Sequence, residues 1–176
     1  MVKGCVWKLP LTRGLFAVVD ADDFARLDRF RWHAHKSGPR FYAGRTVGGK
    51  ADRCFVYLHR EILGLLPGEW GDHVNGNTLD NRRANLRRCS PTQNHMNAVK
   101  RCDGRSEYRG VYHHTQSTHG WNRWVAQIKC DGKRRSLGCF RSAELAAKAY
   151  DKVARAAFGA FARVNFPRNG ERGCLR

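Results

Sequence analysis

The chain has 176 residues, a length that allows one large domain or two small ones. Its 33 basic and 15 acidic side chains give a formal net charge of +18, which predicts a polyanionic partner because phosphate neutralisation dominates nucleic-acid affinity. No apolar run approaches the length of a transmembrane helix and the N-terminus has no signal-peptide core, so we expect a cytoplasmic protein, neither secreted nor bound to a membrane. Considered by itself, the charge would also fit a ribosomal-type protein, a merely soluble basic protein or a protein lying on an anionic membrane.

The seven cysteines do not indicate disulfide or zinc chemistry. Their number is odd and no two of them form a Cys-x-x-Cys pair. We therefore expect reduced thiols, as in a cytosol, and predict no structural zinc.

Residues 1–50 are predicted to form short strands and one helix. Four apolar segments have strand character: 7–9, 16–19, 32–35 and 41–46. A turn at Thr12-Arg13-Gly14 separates the first two strands, and a turn at 37–39 separates the last two. A helix is expected over 20–30, with Asp22 as its N-terminal cap.

A further strand and a short helix are predicted over residues 55–66. The strand covers 55–59, and the helix over 61–66 ends at Pro67-Gly68. His59 is the last residue of the predicted strand. It could touch a substrate backbone or brace a neighbouring site through a hydrogen bond, and we favour bracing.

Residues 70–97 carry the densest cluster of polar side chains. Asp72 beside His73 is poor strand and poor helix material, and the Asn75-Gly76 pair favours a hairpin-like loop over 71–77. A strand over 85–89 follows. A short helix is then predicted to begin at Ser90-Pro91, which places Asn94 in its first turn.

These residues resemble the HNH nuclease motif of the ββα-metal fold, in the form found in phage-encoded and intron-encoded homing endonucleases. Asn85 follows Asp72 by 13 positions (85 − 72) and Asn94 follows it by 22 (94 − 72), and both spacings match that pattern. The resemblance implies a nuclease domain over 1–98 with its ββα-metal core at about 55–98.

The resemblance also implies chemical roles. His73 would be the general base, and Asp72 and Asn94 would hold one Mg²⁺ or Mn²⁺ ion. Asn85 would hold the loop and orient His73. His95 is the alternative ligand, because adjacent helical side chains point about 100° apart and only one can face the ion.

Residues 99–107 are predicted to be a basic linker. Lys100 and Arg101 would lie along DNA phosphates, with a solvated connector as the alternative.

Residues 108–167 are predicted to form a second domain, followed by a tail over 168–176. Strands are expected over 108–112, 121–129 and 134–140, with a turn at Asp131-Gly132. A helix should run from its cap Ser142 to Phe158 and end at Gly159. Its predicted apolar face consists of Ala146, Ala149, Tyr150, Val153 and Ala157.

This second domain resembles the plant ethylene-response-factor (APETALA-type) DNA-binding domain. The matching segments are Tyr108-Arg-Gly-Val, Trp124-Val-Ala-Gln-Ile-Lys, Leu137-Gly-x-Phe140, Ala146-Ala-x-Ala-Tyr-Asp151 and Asn165-Phe-Pro167. The resemblance implies a three-stranded antiparallel sheet that enters the major groove. Six positions match its DNA contacts: Arg109, Trp121, Arg123, Gln127, Lys129 and Arg134. Ser136 replaces the usual Trp and Gln127 the usual Glu, so the base sequence read need not be that of the plant domains.

The sequence therefore predicts an α+β protein, in which an HNH nuclease domain is followed by a sheet-plus-helix DNA-binding domain. The expected function is that of a site-specific, homing-type DNA endonuclease that nicks double-stranded DNA as a monomer or homodimer in a bacterial or phage-infected cell. Two alternatives are a non-catalytic DNA-binding regulator and a phage nuclease of low specificity that serves DNA packaging or repair.

Overall fold

The structure, a computed structural model, describes residues 5–96, 106–114, 123–130 and 132–174, apart from the side chains of 95 and 96. The chain divides into two compact units, Met1–Pro91 and Thr92–Arg176. Across the described residues it is a mixed α+β protein with several small, mostly antiparallel sheets and few helices. None of the helices in these ranges combines the length and apolarity that a membrane crossing requires.

Over its described residues, 5–91, the first unit contains three small antiparallel sheets, formed by β1–β2, β3–β4–β5 and β6–β7. Its strands are β1 (Val6–Pro10), β2 (Phe16–Asp20), β3 (His33–Ser37), β4 (Arg40–Val47), β5 (Cys54–Tyr57), β6 (Trp70–His73) and β7 (Leu86–Cys89). The helices of this part of the chain are α1 (Ala21–Leu27), α2 (Leu58–Leu63) and α3 (Pro91–Met96), the last of which begins at the final residue of the unit. The four strands predicted before residue 50 are confirmed to within three residues at each end.

One apolar core holds the first unit together. Ala17 and Val19 on β2 are fully buried, as period-2 alternation requires, and they meet Leu27 of α1 and Leu58 of α2. Burying each of the larger side chains contributes about 1.5–3 kcal/mol. This core supports the small β6–β7 hairpin, whose Leu86 belongs to the same cluster.

Both helices of the first unit differ from their predicted bounds. Helix α1 starts after Asp20, so the predicted cap at Asp22 is wrong; the Asp20 carboxylate instead accepts the backbone N–H of Arg83 at 2.7 Å. Helix α2 begins at Leu58 and ends at Gly64, whose left-handed φ of 59° stops it well before Pro67. His59 therefore lies on a helix and not on a strand.

The second unit places one long helix against a three-stranded sheet of order β10–β9–β8. Its elements are β8 (Val111–His114), β9 (Arg123–Cys130), β10 (Lys133–Phe140), α4 (Ala143–Phe158), β11 (Arg163–Val164) and β12 (Arg172–Gly173). Helix α4 matches its predicted bounds, because the Ser142 hydroxyl accepts the Leu145 N–H at 3.2 Å and Gly159 ends the helix.

The buried stripe of α4 differs from the predicted face. Ala147, Asp151 and Ala154 are buried, whereas Ala157 is exposed. Asp151 is buried because its carboxylate accepts the backbone N–H groups of Asn165 and Phe166, each at 2.8 Å. A charged residue thus replaces an apolar one on the packed face, which a hydrophobic pattern cannot reveal.

Candidate active site

Asp72 and His73 lie on strand β6, and the prediction of a loop there is wrong. Strand β6 pairs with β7 in antiparallel register, so that Asp72 faces Arg87 and His73 faces Leu86. Both side chains are nearly buried, with 7% and 4% of their surfaces exposed. The pairing with β7 fixes the backbone of Asp72 and His73 more firmly than a loop would.

The predicted turn at Asn75-Gly76 is confirmed. Gly76 has a φ of 78°, and its N–H donates to the His73 carbonyl at 3.0 Å. Asn85 fastens this turn: its Oδ1 accepts the Asn75 N–H at 2.8 Å, and its Nδ2 donates to the Asp80 carbonyl at 2.7 Å. Both polar atoms of the Asn85 side chain therefore bond the backbone of the loop that follows His73.

Asp80 is the hub of this loop. Its carboxylate accepts hydrogen bonds from Arg82 at 2.7 and 2.8 Å and from Asn75 Nδ2 at 2.9 Å, although only 4% of the residue is exposed. The hydrogen bonds from Arg82 lower the pKa of Asp80 below its usual range, against the opposing effect of burial. The loop is therefore built around a carboxylate that must be ionised.

We expect Asp80→Asn to destabilise the first unit by about 1.5–3 kcal/mol, the usual size of a lost charged hydrogen bond. Because the folded pKa is below the unfolded one, this stability is present above pH ~3.9 and is lost as the pH falls through the folded pKa. The melting temperatures of the wild type and the variant, measured from neutral to acid pH, should converge as the pH falls. Asp28→Asn, on an exposed side chain, is the control; an Asp80→Asn variant as stable as this control would contradict the account.

A second anchor joins the site loop to helix α1. The Arg83 guanidinium donates to both carboxylate oxygens of Asp23, each at 2.8 Å. Burial raises the pKa of Asp23, but the hydrogen bonds from Arg83 and Arg26 outweigh it and lower that pKa overall. The short turn that presents Asn85 is thus tied to the main core.

The ring of His73 contacts the side chains of Asn81 and His59. Its Nε2 lies 3.3 Å from Oδ1 of Asn81, a residue with only 1% of its surface exposed. The Asn81 N–H donates to the Val18 carbonyl at 2.7 Å, which ties this partner to strand β2. Sequence reasoning missed the contact because eight positions and a turn separate the two residues, and no spacing rule joins them.

His59 also packs against His73. The two rings are 5.1 Å apart at an interplanar angle of 69°. Burial, followed by the neighbouring His73 and Arg60 charges, lowers the pKa of His59 from 6.5 to about 3, while Asp72 acts in the opposite direction. His59 is therefore neutral near pH 7, and the contact that links it to His73 is between rings.

Asp72 is paired with a cation from the facing strand. Arg87 donates to Oδ2 of Asp72 from Nη2 at 2.8 Å and from Nε at 3.2 Å. A carboxylate is a hard oxygen donor of the kind that Mg²⁺ prefers, so the donor chemistry fits the predicted ion. Arg87 is the group with which such an ion would share the charge of Asp72.

The other predicted ligands lie on α3. Asn94 is half-buried and belongs to the second unit, which begins at Thr92. The side chain of His95 lies outside the described residues. Within the described ranges, no three His, Cys, Asp or Glu side chains cluster as a metal site would require, and the absence of structural zinc stays a prediction.

Three of the predicted DNA-contact residues are exposed on the sheet of the second unit. Arg123 and Lys129 lie on β9, and Lys129 pairs across the strands with Arg134. Gln127 is half-buried opposite Ser136. Three other candidates lie outside the described residues: Lys100, Arg101 and Trp121.

Arg109 is partly committed to the fold of the second unit. Its Nε donates to the Tyr150 hydroxyl at 2.9 Å, and its backbone N–H donates to Asn165 Oδ1 at 2.6 Å. It precedes β8, because Gly110 with a φ of 70° keeps the chain from extending before Val111. The predicted strand start at 108 is therefore wrong by three residues.

Comparison with known proteins gives two kinds of similarity. Over 154 residues the chain is 28% identical to an uncharacterized HNH endonuclease of Acanthamoeba polyphaga mimivirus, a match that covers 87% of this chain and 76% of the relative. The chain is thus distantly related to an HNH endonuclease over most of its length. No protein-family model matches it.

A shorter stretch is similar to plant proteins. The chain is 42% identical over 69 residues to dehydration-responsive element-binding protein 2A of Arabidopsis thaliana, and 48% identical over 64 residues to protein 2A of Oryza sativa subsp. indica. These matches cover 38% and 35% of this chain but 19% and 22% of the relatives. The chain therefore spans about a fifth of the length of those proteins.

Proposed function

We propose that this protein is a metal-dependent DNA endonuclease of the HNH type, homing in character, that nicks double-stranded DNA. The observation that carries the proposal is the pair Asp72 and His73, nearly buried on one strand, with the His73 ring held by Asn81 and His59. The distant relationship to an HNH endonuclease supports the same conclusion. The resemblance puts the ββα-metal core at about residues 55–98.

In this proposal His73 is the general base. An amide oxygen can only accept a hydrogen bond, so the 3.3 Å contact with Asn81 Oδ1 favours the tautomer with the proton on Nε2. Nδ1 is then the basic nitrogen and takes a proton from water as the water oxygen bonds to phosphorus. The bond from phosphorus to the 3′ oxygen breaks, leaving a 5′-phosphate and, after protonation, a 3′-hydroxyl.

Asp72 and Asn94 would hold the divalent cation, Mg²⁺ or Mn²⁺. When bound, the cation supplies charge relief to the scissile phosphate and to the leaving 3′ oxygen. Asn85 would contribute by keeping the 74–80 loop in place, which its two loop hydrogen bonds support.

We expect Arg87→Gln to raise the affinity of the protein for Mn²⁺ about fivefold, since it removes a competing cation worth about 1 kcal/mol at this distance from Asp72. Titration calorimetry with Mn²⁺ and no DNA measures this directly. Arg88→Gln is the matched control, because Arg88 is the next residue on β7 and pairs with Glu69. Weaker metal binding in Arg87→Gln would show that Arg87 supports the ion and does not compete with it.

We expect Asn81→Ala to slow cleavage about tenfold at saturating DNA, with little change in DNA affinity, since it removes one neutral hydrogen bond. Asn81→Asp should shift the rising limb of the pH–rate profile to higher pH, because a carboxylate beside His73 stabilises its charged form. If Asn81 had only a structural role, the pH–rate profile of Asn81→Asp would match that of the wild type. An unchanged profile in Asn81→Asp would remove Asn81 from the positioning of His73.

The second unit would provide DNA affinity and would determine the position of the cut on the DNA. Arg123, Lys129 and Arg134 are exposed on its sheet, as a phosphate or major-groove contact requires. Lys100, Arg101, Trp121, Gln127 and Arg109 complete the proposed contact set. With one active site per chain, a monomer would cut one strand and a homodimer could cut both.

The test is incubation of supercoiled plasmid DNA with the full chain and Mg²⁺, with a chelator in the parallel reaction. The proposal predicts nicked circles that appear only with the metal. Tight, metal-independent DNA binding without cleavage of plasmid or genomic DNA would instead favour a non-catalytic DNA-binding regulator, which the net charge and the second unit also fit.

A further inference from the structure

The β3–β4–β5 sheet of the first unit buries only one of its faces. Ala34 on β3 and Ala43 on β4 belong to the core, and Phe41 packs against it. Because successive side chains alternate between faces, His35 and Tyr42 lie on the opposite side, where they form a cross-strand pair. The apolar core therefore accounts for one face of the sheet, and the aromatic residues of the other face lie outside that core.

Rings on that second face continue onto α2 and β6 as one series, the ring ladder, which consists of His35, Phe55, Tyr57, His59 and His73. Successive ring centroids are 5.0, 5.1, 5.5 and 5.1 Å apart. Tyr42 lies alongside, 5.7 Å from Tyr57 and 6.3 Å from His73. The ladder thus leads from an outer sheet strand to the proposed general base.

The far end of the ladder is open to solvent. Phe55 has 40% of its surface exposed and His35 is also exposed, whereas His73 at the other end is 4% exposed. A side chain at Gly44 would place its Cβ 2.5 Å from Cε1 of Phe55, so the ring lies directly on the sheet backbone. The absence of a side chain at Gly44 allows Phe55 to lie on the sheet as a platform.

We propose that the ring ladder is a stacking surface for unpaired nucleotides of the DNA strand that is cut, beside the scissile phosphate. This inference rests on the proposed nuclease function. Bases stack on exposed aromatic side chains with about 1–3 kcal/mol per base, whatever their sequence. The ladder is continuous with His73, so a DNA strand stacked along it would bring a phosphate to this proposed general base. This continuity favours DNA as the occupant.

Charge on the same face agrees with this occupant. Arg40 precedes Tyr42 by two positions on β4 and so shares its side of the sheet, and it pairs with Ser37 at the end of β3. The net charge of +18 makes the chain complementary to a phosphate backbone.

The test compares a mixed-sequence DNA duplex with the same duplex carrying a short central mismatched bubble that contains 2-aminopurine. Binding of the full chain is measured in a chelator, so that no strand is cut, and stacking is read from quenching of 2-aminopurine fluorescence. The wild type should quench the probe and prefer bubble DNA. Phe55→Ala should bind bubble DNA about tenfold more weakly and lose the quenching, while its affinity for the paired duplex is unchanged.

Phe16→Ala is the matched control, because Phe16 also lies on a strand of the first unit and has 50% of its surface exposed. Phe55→Leu, which keeps an apolar side chain without a ring, guards against a folding defect and should lose the quenching as well. Equal losses in Phe55→Ala and Phe16→Ala, or wild-type quenching in Phe55→Leu, would overturn the inference. Quenching without plasmid nicking would refute only the nuclease proposal, whereas nicking without quenching would refute only the ring ladder.

Discussion

Replacement of His73 by alanine is expected to slow plasmid nicking by about 10²–10⁴-fold at saturating Mg²⁺, the usual contribution of a positioned general base. The ring is nearly buried and is held by Asn81 at 3.3 Å and by His59 at 5.1 Å between centroids, as a positioned base requires. The rate is measured under single-turnover conditions by the conversion of supercoiled to nicked plasmid.

Two controls separate chemistry from folding in this experiment. DNA affinity should be unchanged in His73→Ala, because the basic residues of the second unit are untouched. His113→Ala removes a histidine that packs on Trp124 in the second unit, at 4.9 Å between ring centroids, and should leave the rate within about twofold of the wild type. Undiminished nicking by His73→Ala would remove this histidine from the mechanism.

Gly110→Ala is expected to destabilise the second unit by about 2–5 kcal/mol, from backbone strain and overpacking together. Gly110 has a φ of 70°, and an added Cβ would overlap the Tyr150 ring and lie 2.6 Å from the Gln127 carbonyl oxygen. Its own carbonyl accepts the Gln127 N–H at 2.7 Å, so the strand cannot move away without losing that bond. Helix α4 and β9 should loosen together.

Hydrogen exchange in α4 and DNA affinity of the full chain measure this effect. Gly170→Ala is the matched control, because Gly170 has a similar φ of 82° but no atom within 4 Å of the added Cβ. The control should show backbone strain alone, about 1–2 kcal/mol. Equal stability of the two variants would mean that the close approach of Tyr150 and Gln127 to Gly110 is not what the structure indicates.

Local signals in the sequence were enough for many elements of the fold. The strands before residue 50 follow from alternation, and α4 follows from its cap at Ser142 and its stop at Gly159. Failures occurred where a distant partner decides the structure. Asp72 and His73 have poor strand propensity, yet they form β6 because β7, more than ten residues later, pairs with them.

For the candidate site, the sequence predicts a set of residues but not their surroundings. The order and spacing of the motif can be read without any knowledge of the fold, and they single out Asp72, His73, Asn85 and Asn94. The surroundings of His73 could not be predicted, because Asn81 reaches it through backbone pairing with Val18, and His59 reaches it from a helix that was placed three residues too late. The ring ladder depends in the same way on contacts between β3, β5, α2 and β6.

The central claim is that Asp72 and His73 form a hydrolytic centre for DNA. Sequencing of DNA ends after incubation of bacterial genomic DNA with the full chain and Mg²⁺ tests it most directly. We expect breaks at recurring positions with 5′-phosphate and 3′-hydroxyl ends, which are lost with His73→Ala and with a chelator. Identical breaks from the variant, or intact DNA in the presence of folded, DNA-bound wild-type protein, would contradict it.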